Sequence, residues 1–307
     1  MVSPWVIGYA ARHVRDRSGE GDALGKRSWI LLVGFLIFPW TVRGQERPLR
    51  TDDAEILKTG KIRFGFGIEF LQDQRYSLSG LEGDLIRLGV SSIQIGVGEY
   101  AEFQISGVIQ DVLSVSDRTE PVIPPTFSGD STSDFGDLVL GAKLKFFGEK
   151  GRRPAMAFKF AVELPNAKHD SGLGTDQTEF YSSLLFKKHF GRAQVLADVG
   201  FAILGSPVLQ GRQTDPLTYG FAAIVPVYRS FDFVAEINGR QGPSGRVGNE
   251  NKSQVRAGIR FSTGRIRWDL AGVAGLMDFD PKSGIVAGIT YEFQGFKREP
   301  TPVKIIK

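Results

Sequence analysis

His169, Asp170 and Ser171 stand side by side, and they are the residue types with which a hydrolytic triad activates a hydroxyl nucleophile. Neighbours in sequence rarely converge on one centre. Beyond the first 44 residues the chain offers one other histidine, His189, which ends a different segment. No phosphate loop, zinc spacing or dinucleotide fingerprint is present, and there is no cysteine for a disulfide or a thiolate site. Neither catalysis, a metal nor any other cofactor is therefore expected. The remaining chemistry is charge. Lys61, Arg63, Glu69, Arg87, Glu102, Lys143, Lys145, Lys159, Glu163, Lys187, Asp198, Asp232, Glu236, Arg256, Arg260, Arg267, Asp269 and Glu292 all fall on the polar side of an alternating pattern. If those sides share one interior, the charges must pair or be hydrated. The result would be a water-filled channel or a web of salt bridges.

The elements that would position these groups are strands. From Lys61 to Leu71, Ile62, Phe64, Phe66, Ile68 and Phe70 alternate with Lys61, Arg63, Gly65, Gly67 and Glu69. That is a period of two, the signature of an amphipathic strand. Leu138, Leu140, Ala142, Leu144 and Phe146 likewise oppose Asp137, Gly141, Lys143 and Lys145, and Met156, Phe158, Phe160, Val162 and Leu164 oppose Lys159 and Glu163. Segments of about ten residues are long enough for a tilted strand to cross a bilayer.

The front of the chain sets the compartment. Lys26 and Arg27 precede the apolar run 28–40, which is shorter than the roughly 20 residues of a membrane helix and has the length of a signal-peptide core. Val42 and Gly44 supply small residues for cleavage after Gly44; the alternative is an uncleaved anchor helix. Residues 1–44 are thus read as leader and signal peptide. Without them the balance of 38 basic and 34 acidic residues becomes 32 against 31, so no concentrated basic face points to nucleic acid.

Twelve strands are expected, at 61–71, 84–97, 101–115, 135–147, 154–164, 178–190, 192–205, 216–227, 231–240, 253–262, 265–274 and 284–293. Twelve is an even number, as bacterial outer-membrane barrels require. Short turns at 97–100, 148–153, 191, 228–230 and 263–264 alternate with longer loops at 72–83, 116–134, 165–177, 206–215, 241–252 and 275–283, the pattern of periplasmic turns and extracellular loops. In the second strand the apolar phase flips near Ser91 and Ser92, where a β-bulge would restore the faces. The fold class is therefore an all-β, transmembrane, antiparallel up-and-down barrel in the bacterial outer membrane. Residues 45–60 precede it as a periplasmic linker or a plug, 61–293 form the barrel, and 294–307 form a short basic tail. A soluble β-sandwich is the competing arrangement.

Arg50-Thr51-Asp52-Asp53-Ala54, Phe135-Gly136-Asp137-Leu138 with Lys143 downstream, and Val162-Glu163-Leu164-Pro165 resemble the outer-membrane transporters grouped as the MetA-pathway of phenol degradation family, over roughly 48–293. The resemblance implies a barrel that passes small hydrophobic or aromatic compounds. The tail after Phe293 departs from the terminal aromatic that the barrel assembly machinery reads. The expected partners are outer-membrane lipid, that machinery and a small solute, with no nucleic acid. The candidate lumen-facing residues are Arg63, Glu69, Lys143, Lys145, Lys159, Glu163, Asp232, Glu236, Arg256, Arg260, Arg267, Asp269 and Glu292. The functional expectation is a channel for small solutes; the alternative is a closed barrel that presents its loops.

Overall fold

Alternation has an unusual sense in this protein. Along β1 (Lys61–Tyr76), Phe64, Phe66, Ile68 and Phe70 are each at least 37% exposed, while Arg63 and Glu69, on the opposite face, are at most 4% exposed. Phe103, Leu144, Phe160, Phe233, Ile259 and Leu270 repeat the outward apolar placement around the wall. Leaving one such side chain in water forgoes about 1.5–3 kcal/mol, and a sandwich would have turned these faces together. An apolar outside around a charged inside fits hydrocarbon as the solvent.

A computed structural model describes residues 47–242 and 247–296. The leader, its cleavage point and the tail beyond 296 lie outside the described residues. The remaining strands are β2 (Leu81–Gly96), β3 (Ala101–Arg118), β4 (Ser131–Asp134), β5 (Leu138–Phe147), β6 (Ala155–Leu164), β7 (Glu179–Phe190), β8 (Ala193–Gly205), β9 (Gln213–Thr214), β10 (Leu217–Tyr228), β11 (Phe231–Gln241), β12 (Lys252–Thr263), β13 (Ile266–Gly275) and β14 (Ser283–Gln294). Each pairs antiparallel with its neighbours, and β14 pairs with β1 along twelve residues from Lys61↔Gln294 to Gln72↔Ser283. That pairing closes the sheet and leaves no edge for water or another chain to cap. The protein is a barrel of the bacterial outer membrane.

Fourteen strands make twelve staves. β4 and β5 both pair with β3 in one continuous register, Ser114↔Ser131 above and Ser106↔Val139 below. The ladder is interrupted at 135–137, where Gly136 still donates its N–H to the Val108 carbonyl. β9 and β10 share one register against β8 in the same way, from Gly205↔Gln213 to Phe201↔Leu217. The loops at 119–130, 165–178, 206–212 and 276–282 leave one end of the barrel together with the tight turn at 77–80, and the other short turns join the strands at the opposite end. By the usual orientation of these barrels the long-loop end is extracellular.

Three sequence expectations need correction. The first hairpin has no long loop: β1 and β2 continue to Tyr76 and Leu81, joined by Ser77–Gly80 alone. Arg75 and Tyr76 pair with Glu82 and Leu81 in that extension, and the polar residues there hid a strand that has no apolar alternation to betray it. The bulge in β2 falls at Gly89, two residues ahead of Ser91, because the register shifts between Gly67↔Val90 and Ile68↔Leu88. Gly89 has φ +66°, a left-handed conformation that costs other residues roughly 1–2 kcal/mol. β12 begins at Lys252, one residue before the strand expected from alternation at 253–262.

Candidate functional site

Residues 47–58 thread into the barrel, and the inward charges hold them there. The two oxygens of Glu236 accept the backbone N–H of Arg50 at 2.8 and 3.0 Å; the second also takes the Thr51 N–H at 2.9 Å and the Thr51 hydroxyl at 2.8 Å. Lys187 reaches the Asp53 carboxylate, Lys143 donates to the Asp53 carbonyl at 2.9 Å, and Lys159 bonds the Asp52 carboxylate. Lys145 pairs with Glu55, and Glu102, buried against Lys143 at 3.3 Å, accepts the Leu57 N–H at 2.7 Å. Arg256 donates to the Pro48 carbonyl at 3.1 Å and lies 3.4 Å from Glu69. These charge-assisted bonds are the strong kind.

Packing adds to them. Leu49 lies among Leu196, Ala222, Ile224 and Val234, and Ala54 among Ala155, Ala157 and Leu185. Both groups are inward apolar positions that the alternation rule would have assigned to polar side chains. Arg47 extends across the wall to the Val90 and Ala287 carbonyls and sits 3.7 Å from Asp269. It passes over glycine, since a Cβ at Gly67 would stand 2.1 Å from the Arg47 guanidinium.

A second group of candidates pairs across the strands. Arg63 bonds Glu292 at 2.5 Å and Gln94 at 3.2 Å, Arg260 bonds Asp232 at 2.7 Å, and Arg267 donates to the Thr290 hydroxyl at 3.4 Å. Arg63, Arg260, Arg267 and Asp269 are all buried. Thus the candidate residues form two sets: Glu236, Lys143, Lys145, Lys159 and Arg256, with Glu69 alongside Arg256 and Asp269 beside Arg47, hold the N-terminal segment, and Arg63, Asp232, Arg260, Arg267 and Glu292 bridge the β11–β14 and β1 wall. Glu163 belongs to neither set.

Glu163 lines a cavity of about 690 Å³ above the N-terminal segment. Its floor includes Arg47 to Asp52, and Tyr76, Tyr181 and Tyr219 contribute to its sides. Glu179 on β7 pairs with Glu163 on β6 in the ladder, accepts the Tyr181 hydroxyl at 2.5 Å and lies 3.9 Å from Arg240. Arg240 on β11 pairs with Lys252 on β12. Sequence reasoning pointed to Glu163 and missed Glu179, Arg240 and Lys252. Register across strands distant in sequence is what gathers them, and no local spacing carries that signal.

The histidines are far apart in their structural roles. His169 opens the short helix His169–Ser171 in the 165–178 loop and its ring bonds Asp176, while Ser171 Oγ donates to the Lys168 carbonyl rather than to the imidazole. The Asp176 contact raises the His169 pKa above its ordinary 6.5. His189, at the short-turn end, bonds Glu149 at 2.6 Å; with Lys188, that contact holds the Glu149 carboxyl down to about 2.

No family model and no curated protein matches the sequence. Among solved structures, the COG4313 outer membrane channel from Pseudomonas putida F1 is similar, with a TM-score of 0.56 and 15% identity over 80% of this chain and 100% of that one. A loop-deleted OmpT of Vibrio cholerae follows with a TM-score of 0.41, 11% identity and coverage of 76% and 98%. CdiB from Acinetobacter baumannii gives a TM-score of 0.39, 10% identity and coverage of 76% and 60%. At such identities the first of these speaks to the fold, which it shares with this chain.

Proposed function

We propose that this barrel is a channel for small solutes, in which the 690 Å³ cavity receives the solute from outside and residues 47–58 narrow the path below it. The observation that carries the reading is a polar cavity preserved inside a lumen otherwise crowded by side chains. A barrel needed only as a scaffold gains nothing from gathering charged side chains around a chamber. The resemblance to the phenol-degradation transporters favours hydrophobic or aromatic solutes, and the similar structure from Pseudomonas putida is itself described as a channel. Catalysis forms no part of this reading, in which the Ser171 hydroxyl donates to the Lys168 carbonyl.

The dense anchoring of residues 47–58 favours a second reading, a closed barrel that presents its loops. Swelling of liposomes that carry the inserted protein separates the two. Swelling that declines with solute size is the expected result. An inserted protein that admits no solute, and still admits none after residues 47–56 are deleted, would leave the closed barrel standing.

A further inference from the structure

Like charges directly opposite one another in a ladder repel, yet the cavity wall contains two such pairs. Glu163 faces Glu179 across β6 and β7, and Arg240 faces Lys252 across β11 and β12. Arg240 comes within 3.9 Å of Glu179, so one member of each pair is partly neutralised. The other members are not. Among the described residues, no hydrogen bond or ion pair within contact distance is made by the Glu163 carboxylate or the Lys252 ammonium, although the same cavity is lined by both. Of the other charged groups at the floor, Arg50 pairs with Glu69, Asp52 with Lys159, and Arg256 with Glu69 and Glu236, and Asp198 adds a further acidic group to the lining.

A third sector is apolar. At the upper end of β1 the inward face switches from charge to Leu71, which packs with Leu85 of β2, and both line the cavity. In the order of staves around the closed barrel, two separate β1–β2 from β6–β7, two separate β6–β7 from β11–β12, and two separate β11–β12 from β1. The two like-charged pairs and the Leu71–Leu85 patch, which lies above the mutually paired Glu69 and Arg87, thus stand two staves apart around one chamber. An apolar solute would leave both free charges unpaired and dehydrated, an anion would meet Glu163, and a cation would meet Lys252. One kind of molecule satisfies all three sectors.

Resting on the channel reading above, we propose that the chamber is a recognition site for a small zwitterion with an apolar body, an amino acid with a large apolar side chain. Glu163 takes the ammonium, Lys252 takes the carboxylate, and Leu71 and Leu85 face the side chain.

Isothermal titration of the folded full chain in detergent micelles tests this without requiring permeation. The probes are phenylalanine, N-acetylphenylalanine, phenylalanine amide and glycine. Phenylalanine is expected to bind at least about tenfold more tightly than each of the other three. Glu163→Gln should abolish the preference over N-acetylphenylalanine and keep the preference over the amide; Lys252→Gln should do the reverse. Neither side chain holds a partner, so both variants are expected to fold, and if either does not, the four ligands on the unaltered protein decide alone. Absence of phenylalanine binding, equal binding of N-acetylphenylalanine or glycine, or affinity ratios untouched by both variants would each overturn the site. Liposome swelling with no such preference would sink this site and leave the channel intact, whereas binding without swelling would do the opposite.

Discussion

At the scale of single residues, Glu236 is the group on which the position of the N-terminal segment depends most. Its carboxylate accepts from Arg50, from the Thr51 backbone and from the Thr51 hydroxyl, and it is fully buried at the side chain. Removing one partner of a buried charged network typically costs about 3–5 kcal/mol, but most of that cost falls on the segment, since the wall strands keep their ladders. Glu236→Ala is therefore expected to leave a folded barrel whose single-channel conductance in a planar bilayer exceeds the unaltered protein's; unchanged conductance would show that Lys187 and Lys143 hold the segment without it. A second residue-scale expectation concerns pH. The Asp176 contact raises the His169 pKa in the folded protein, so the loop stabilisation it gives is complete below the ordinary 6.5 and is lost as pH climbs through the raised value. Titration of the His169 ring by NMR should yield a pKa above 6.5 that drops in Asp176→Asn.

At the scale of elements, two features of β1 and β2 set tolerance to change. Phe66 lies near the middle of a lipid-facing row, between Phe64 and Ile68, where an arginine costs roughly 2–4 kcal/mol. Phe66→Arg should accordingly lower the temperature at which the folded band is lost on a heat-modifiability gel. Gly89 tests the backbone rather than the solvent. At φ +66°, with the Ile109 side chain 2.6 Å from where a Cβ would stand, Gly89→Val should lower that temperature too, because the bulge realigns the apolar face of β2. If the variant unfolds no more readily, the strand can absorb the phase change elsewhere.

At the scale of the whole molecule, closure and filling are separate achievements. The β1–β14 ladder closes the wall, whereas residues 47–58 fill the lumen through contacts with β3, β5, β6, β7 and β11. Deleting residues 47–56 should leave insertion and heat-modifiability intact while raising both conductance and the size limit for liposome swelling. Loss of insertion would mean that the segment is needed to assemble the wall as well as to narrow it.

The barrel itself was legible in the chain. Alternation in Ile62 to Phe70, Leu138 to Phe146 and Met156 to Leu164 is a local property, because successive side chains on a strand point to opposite faces whatever the partner. Twelve staves and the sorting of long from short connections follow from it. What alternation could not say was which solvent the apolar face meets, where the polar extension of the first hairpin ends, or that the phase change in β2 is made at Gly89. Nor could it show that Leu49 and Ala54 find inward apolar niches, or that Glu163 meets Glu179 and Arg240 meets Lys252. Those facts depend on register between strands and on chain closure. Register is fixed jointly by all the ladders of the sheet, and a chamber with three different walls exists only after the last strand has joined the first.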